Sequence, residues 1–538
     1  MKKIAIKIAL FIVVVLPSAF YAQSPNWQWA KIGGSSGQDA GKDIVIDTQG
    51  NIYVLGVFRD FDITIEGVTL INAGDDDIFL AKYNPNGGLI WVKSINGQAT
   101  DFAVKLLIDK NNDVYVSGGF SSPTLTIGTT TLTNSGSYSF FTAKYNSSGQ
   151  VIWAKNNLNS NLNASIIAID DNLNSYSIIA TASVATLEKR NVSESLIWSK
   201  TITTTGSISS PQVHYVFVNE TGVYLTGGFF GSSLTIGTST ILNSASANSD
   251  DMFVAKLDTS GNVLWLKNGL NTSGDNGTVV QVDNNGNVYV LGMFSTGITF
   301  DSFTLTSNGD YDLFLVKYNS SGQVIWAKNA GGIFEDWVVD LAIDASGGTY
   351  VIGGFDSPSF TFANTTYNNL GVWFSYADVF VLKYDAQGNE AWIKNIEGLG
   401  NDNGNGIAVN SLGEVYVTGA IEDTLGGITN LGNFQLIGAG LDDFFFAKLA
   451  STVGLNEEYH SDQLIIYPNP NTGIFNIEIA DKDGNSLMGV YDIMGKKLVS
   501  KVMATNKMEI DISMQPKGMY LIKVISGDNV LTQKIVVQ

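Results

Sequence analysis

The sequence predicts an all-β chain in which one four-stranded unit recurs along most of the length and a second, smaller β-domain follows. Two observations carry this. Three short markers repeat up to Ala450 and then stop, and the composition, with 57 Gly against 9 Pro and 11% aromatic residues in 538, suits tight turns between short strands rather than disorder. One ordinary compact core does not accommodate this length, so a large repetitive domain with an appendage is the natural organisation.

The first marker is Trp-x-Lys, at Trp29, Trp91, Trp153, Trp198, Trp265, Trp326 and Trp392. The second reads YVLGVF from Tyr53 and returns from Tyr115, Tyr224, Tyr289, Tyr350 and Tyr416, with a worn copy at Tyr176. The third reads DIFLAKYN from Asp77 and returns from Ser139, Asp251, Asp312, Asp378 and Asp443, with a worn copy around Leu187 to Asn191. Each is a short apolar run rich in Val, Ile, Tyr and Phe, bounded by Gly, Asn and Asp, and therefore reads as a strand. Turn signals such as DTQGN at Asp47, DNNGN at Asp283 and NSSGQ at Asn146 separate them. An apolar run such as DIVID, from Asp43, completes a unit of four strands. Four-stranded units repeated around an axis make a β-propeller, and the count gives seven blades.

The phase of the repeat predicts how the ring closes. The chain opens on a lone Trp-x-Lys strand at Trp29 and ends the repeats with FFFAKLA at Phe444, without a Trp-x-Lys after it. The N-terminal strand should therefore complete the last blade, leaving no unpaired edge. These markers resemble the beta-propeller repeat of secreted bacterial proteins over roughly residues 27 to 450, a resemblance that implies a fold and no particular activity.

Within a blade, the first-to-second and third-to-fourth connections share one face and are tight here. The second-to-third connection, on the opposite face, is long in six blades, as in FSSPTLTIGTTTLTNSGSY from Phe120, and reads as an additional hairpin. Blade three, around Ala180 to Thr186, lacks it, which should leave a notch in the rim. Long connections on a rigid scaffold are where binding resides, so this face is the expected ligand surface.

The same face should collect acids. Asp39, Asp101, Asp275, Asp336 and Asp402 each precede an innermost strand, and a ring of carboxylates at the channel mouth would suit calcium. The competing reading is that each Asp satisfies backbone donors in its own loop. Acids before the third strand, among them Asp77, Asp251, Asp312 and Asp443, read as caps or gatekeeping charges. The repeated Trp reads as an inter-blade anchor, whereas Trp337, Trp373, Tyr311 and Tyr376 fall outside the repeat positions and are the candidates for surface contact.

A net charge of −20 argues against nucleic acid and anionic lipid as partners. The absence of Cys removes disulfides and thiol chemistry, and two histidines, His214 and His460, leave little for His-dependent catalysis. Phosphate-loop, zinc-helix and nucleophile-elbow patterns are missing, and no catalytic residue or cofactor other than the calcium candidate is assigned. Lys2, Lys3 and Lys7, followed by an apolar run from Ile8 to Leu16, read as a secretory signal peptide over residues 1–22, cleaved after Ala22 or, alternatively, after Ala19. No second segment is apolar and long enough to span a membrane as a helix.

The propeller is assigned to residues 23–450, and a polar linker to 451–462. Residues 463–538 show about seven short strands, as expected for a small immunoglobulin-like sandwich. Tyr467, Pro468, Asn469, Pro470 and Gly473 in YPNPNTG, Tyr491, Asp492 and Gly495 in YDIMG, Gly518 and Tyr520 in GMYLIKV, and Lys534 in QKIVV stand out. This segment closely resembles the type A C-terminal sorting domain of the type nine secretion system of Bacteroidetes. The resemblance implies passage through the periplasm, recognition by the outer-membrane secretion machinery, and a final place on or outside the cell. The expectation is a non-catalytic binding scaffold, adhesive or directed at a polysaccharide or a surface protein. The alternative is a polysaccharide hydrolase or lyase on the same frame.

Overall fold

The computed structural model describes residues 24–156, 165–181, 184–206, 211–244, 249–271, 273–369, 376–422, 428–450, 464–479, 486–492, 497–503, 505–526 and 529–538. The signal peptide with both of its cleavage candidates, the linker, His460, Trp373 and Gly495 lie outside them. The chain divides into two units, Met1–Thr452 and Val453–Gln538.

In the first unit seven antiparallel four-stranded blades follow one another, as the repeat predicts. Their innermost strands are Asp39–Ile46, Asp101–Ile108, Ser165–Ile169, Gln212–Asn219, Asp275–Val282, Asp336–Ile343 and Asn403–Val409. Each contacts the innermost strand on either side, and the seventh contacts the first, so the ring is closed. Closure uses the N-terminal strand Trp27–Gly33, which pairs antiparallel with Asp442–Leu449 from Trp27 opposite Leu449 to Gly33 opposite Phe444. Among the described residues, additional hairpins stand between second and third strands in six blades, whereas Ser175–Ala180 and Val184–Arg190 of blade three are separated by only three residues. In blade two the hairpin Thr124–Ile127 and Thr130–Thr133 reaches back to pair with the outer strand of blade one, Leu125 opposite Gly97.

The three markers turn out to be one structural feature. Tyr53 lies opposite Lys82, and Lys82 opposite Trp91, so the markers form a cross-strand row. The same Tyr–Lys–Trp row recurs in every blade, ending with Tyr416, Lys448 and the N-terminal Trp29. Each lysine amine sits over its tyrosine ring at 4.5 to 5.3 Å. Most also meet an acid of the first turn, as in Lys144 with Asp109 at 3.1 Å and Lys448 with Glu414 at 2.8 Å. The row reaches the next blade too: the Trp198 indole donates to Thr259 O at 3.1 Å and the Lys82 amine to Ser147 O at 3.0 Å. Gly149, at φ 79°, completes that turn, and a side chain there would strike the Trp91 ring at 2.9 Å. The tryptophan is thus an inter-blade anchor, the structural role expected of it.

Because Lys82 and Asp47 are both buried, truncating the lysine leaves a carboxylate that keeps its turn hydrogen bonds but loses its neighbouring cation. Lys82→Ala is expected to cost about 3–5 kcal/mol, measured by urea unfolding, and adding Asp47→Asn should recover part of that loss. Equal costs with and without the second substitution would contradict the assignment.

The second unit packs a three-stranded sheet, Leu464–Tyr467, Ile474–Ile479 and Lys507–Asp511, with a four-stranded one, Lys497–Met503, Ser486–Asp492, Gly518–Ser526 and Asn529–Val537. Phe475, Ile477, Met488, Val490, Ile522 and Ile535 form the core between them. The fourth strand in sequence pairs with the third rather than joining the first sheet, so the sandwich is three plus four.

Candidate binding face

Asp39, Asp101, Asp275, Asp336 and Asp402 all lie on the hairpin-bearing face, at or beside the start of an inner strand, and all are fully or almost fully buried. Each is held in its own neighbourhood: Asp39 accepts from Ser35 N at 2.6 Å, Asp101 from Ser122 Oγ at 2.8 Å, Asp275 from Met252 N at 2.7 Å, Asp336 from Ser357 Oγ at 3.1 Å and Asp402 from Glu422 N at 3.0 Å. Among the described residues no three His, Asp or Glu side chains converge in a way that would hold a metal ion. Four of these acids accept from donors of their own blade, and Asp275 accepts from the third strand of the preceding one.

What the sequence reading missed is that these acids are paired across blade boundaries. Each faces the acid that starts the third strand of the preceding blade: Asp77 with Asp101, Asp251 with Asp275, Asp312 with Asp336, Asp378 with Asp402, and Asp443 with Asp39 across the ring closure. Gly97 sits within the first pair, its N–H donating to Asp77 Oδ1 at 3.1 Å while an added Cβ would lie 2.7 Å from Asp101 Oδ2. Burial pushes Asp39, Asp101 and Asp336 up to about 7, the facing acid adding to it, and pushes Asp77 and Asp312 up to about 6. Asp275 and Asp402 are raised well above the usual carboxylate range for the same reasons. A signal was available: 77 to 101, 251 to 275, 312 to 336 and 378 to 402 are each 24 residues. At the two boundaries of blade three, Ser139 and Val184 stand where the other third strands begin with Asp.

On the axis, the inner strands enclose a cavity of about 340 Å3 crossed by a polar network. Lys105 Nζ lies 3.0 Å from Asp43 and over the Tyr215 ring at 4.9 Å, and Gln281 donates to Tyr215 OH at 3.2 Å. Asp340 accepts from Ile407 N at 3.1 Å, and burial raises it to about 6 against the pull of Lys105. These groups tie six blades across the centre. Asp43, Lys105 and Asp340 each follow an inner-strand Asp by four positions, a pattern legible in hindsight.

The third arrangement is an open cleft. Where blade three lacks both hairpin and acid pairs, a cavity of about 730 Å3 opens among blades two, three and four on the hairpin-bearing face. Phe102 meets Tyr138 edge-on at 6.1 Å and Phe140 at 5.9 Å, and Tyr138 is 50% exposed. Phe102 can lie as it does because residue 119 is Gly: an added Cβ would come 2.2 Å from its ring. Thr100, Gln212 and His214 supply the polar part of the wall. His214 Nδ1 lies 2.9 Å from Gly277 O, to which it donates, and Nε2 lies 3.2 Å from the Gln212 amide. The contact candidates are elsewhere: Trp337 packs on Gly354 in blade six, and Tyr311 and Tyr376 precede third strands of blades five and six, all half-buried and outside the cleft lining.

In the second unit the YPNPNTG run is a built corner. Tyr467 OH donates to Glu478 at 3.0 Å, and Asn469 both donates to Lys534 O at 2.9 Å and accepts from Val536 N at 2.9 Å, fastening the first sheet to the last strand. Gly473, at φ 98°, lies so close to Ser513 that a Cβ would meet its backbone at 2.4 Å. Asp492 pairs with Tyr520 in the second sheet, Lys497 Nζ stands over Tyr491 at 5.5 Å, and the Tyr520 hydroxyl donates back to Pro516 O near the start of the strand that opens at Gly518.

Residues 465–538 match the family described as Secretion system C-terminal sorting domain, and residues 28–57 match the Beta-propeller repeat. The chain carries a type nine export signal. It is accordingly a protein of the cell surface or the surrounding medium, and Bacteroidetes are the implied source. Among the described residues no helix is long and apolar enough to cross a membrane. The chain is 25% identical to an uncharacterized WD repeat-containing protein, L264, of Acanthamoeba polyphaga mimivirus, over 73% of this chain and 31% of that one. It is 31% identical to the regulatory protein FlaEY of Caulobacter vibrioides over 26% of this chain and 15% of that one, so it spans less than a third of either relative. Among solved structures, one of two prolyl endopeptidases aligns at 10% identity over 83% of this chain and 56% of that one, with a TM-score of 0.39.

Proposed function

We propose that the exported propeller is a non-catalytic binding scaffold that engages a polysaccharide or a surface protein through its hairpin-bearing face. The observation that carries the reading is the cleft at blade three. Six blades raise a hairpin on that face, and the one that does not leaves a concave, partly aromatic recess in an otherwise regular ring. Recesses of this size, mostly apolar with a few polar groups, are the usual form of a small-ligand site. The alternative, a polysaccharide hydrolase or lyase, calls for a pair of carboxylates flanking the scissile bond. Among the described residues that line the cleft there is no carboxylate.

The test is a glycan, polysaccharide and surface-protein array probed with the full chain, with and without chelator, followed by sizing of the bound polymers. Binding without shortening is the expected result. Shortened chains would replace the scaffold with an enzyme, and loss of binding in chelator would return a cation to the face.

A further inference from the structure

We infer that the cleft between blades two and four is a binding site for a neutral sugar unit, stacked on Tyr138 and hydrogen-bonded by Thr100 and Gln212. This rests on the scaffold reading above and adds the place and the chemistry. The first argument is charge. On a chain with 50 acidic and 30 basic residues, no Asp, Glu, Lys or Arg is among the described residues that line this cleft. An anionic ligand finds no cation there and a cationic one no acid, so neither gains enough to offset its lost hydration.

The second argument is shape. Tyr138 is half exposed at the cleft and held edge-on by Phe102, which leaves ring surface for a flat apolar face of a ligand. The third is the polar wall. Thr100 and Gln212 offer uncharged donors and acceptors, which hydroxyl groups satisfy and an acyl chain or an aliphatic side chain strips of water without replacement. His214, itself fixed by Gly277 O, holds the Gln212 amide at 3.2 Å, so little ordering of Gln212 remains to be done on binding. A ligand with one apolar face and a hydroxylated edge is a neutral sugar. The asymmetry of the ring agrees: the deviations of blade three from the repeat, in hairpin and in boundary acids, coincide with this one sector.

The experiment measures binding of the full chain to neutral polymers (dextran, mannan, cello-oligosaccharides), to acidic ones (alginate, heparin) and to apolar peptides, by calorimetry. Tyr138→Ala and Gln212→Ala are the cleft variants and Trp337→Ala the control on the same face, each checked for an unchanged melting temperature. Expected is binding to at least one neutral polymer, weakened about tenfold or more by Tyr138→Ala and unaffected by Trp337→Ala. Neutral-glycan binding that survives both cleft variants would overturn the site while leaving the scaffold standing. Binding confined to acidic polymers or to peptides would overturn the ligand class. No binding to any probe by the wild-type chain would remove the scaffold reading together with this one.

Discussion

Raising the pH from 5 to 8 is expected to destabilise the propeller by on the order of 5 kcal/mol, seen as a falling melting temperature with chelator present throughout. The paired acids at the blade boundaries are the cause. In the unfolded chain they titrate near 4, whereas burial, with the facing acid adding to it, raises Asp39, Asp101 and Asp336 to about 7, and burial raises Asp77 and Asp312 to about 6 in the folded ring. The folded state therefore holds protons the unfolded state has released. Its advantage is complete below the unfolded value and is lost as pH rises through 6 to 7. Asp39→Asn and Asp101→Asn, which imitate the protonated form, should each flatten part of the slope. A flat profile in the parent protein, or the same slope in both variants, would show that the pairs are not the titrating groups. Stability restored at pH 8 by added calcium would show that the pairs take a cation in place of the proton.

The second large effect concerns the strand that closes the ring. Removing Trp27–Gly33 should cost on the order of 5 kcal/mol, because Trp27 is buried, Ile32 and Ala30 pack on the last blade, and Trp29 lies 4.8 Å from the Phe446 ring. It also bares the edge of Asp442–Leu449, so the truncated protein should associate. Urea unfolding and size-exclusion chromatography measure both outcomes, and a synthetic peptide of residues 24–34 added in trans should recover part of the stability. A monomeric truncation with the parental midpoint would mean that the ring is held without this strand.

Much of this architecture is legible in the residues, and the limit is set by distance. Strands, turns, blade number and closure follow from local signals: alternating Val, Ile and Phe, Asp-x-x-Gly-Asn turns, and a Trp-x-Lys strand missing at one end and surplus at the other. The role of the markers as one Tyr–Lys–Trp row is less visible, because it depends on register between strands that the sequence only orders. The acids show the limit most clearly. Asp101 and Asp77 are each conspicuous, but what raises their affinity for protons is burial, and for Asp101 also a neighbour in the adjoining blade, and neither belongs to the local pattern. The cleft was foreshadowed as a notch by the short blade three. That Phe102, Tyr138 and His214 meet there follows from the bringing together of three blades, which no single repeat records.

The closing strand also sets an order of events. Trp27 must find Leu449, so the first strand to emerge, from a ribosome or from a membrane pore, is the last to be placed. Until then it waits as an unsatisfied edge, and the ring remains open at one seam. Loop entropy charges little more for this long separation than for a shorter one, but the search it demands is slow. A ring closed this way cannot complete its last blade before residues 442–449 are present. The seam is in effect a timer, one that withholds the finished ring until residue 449 has arrived.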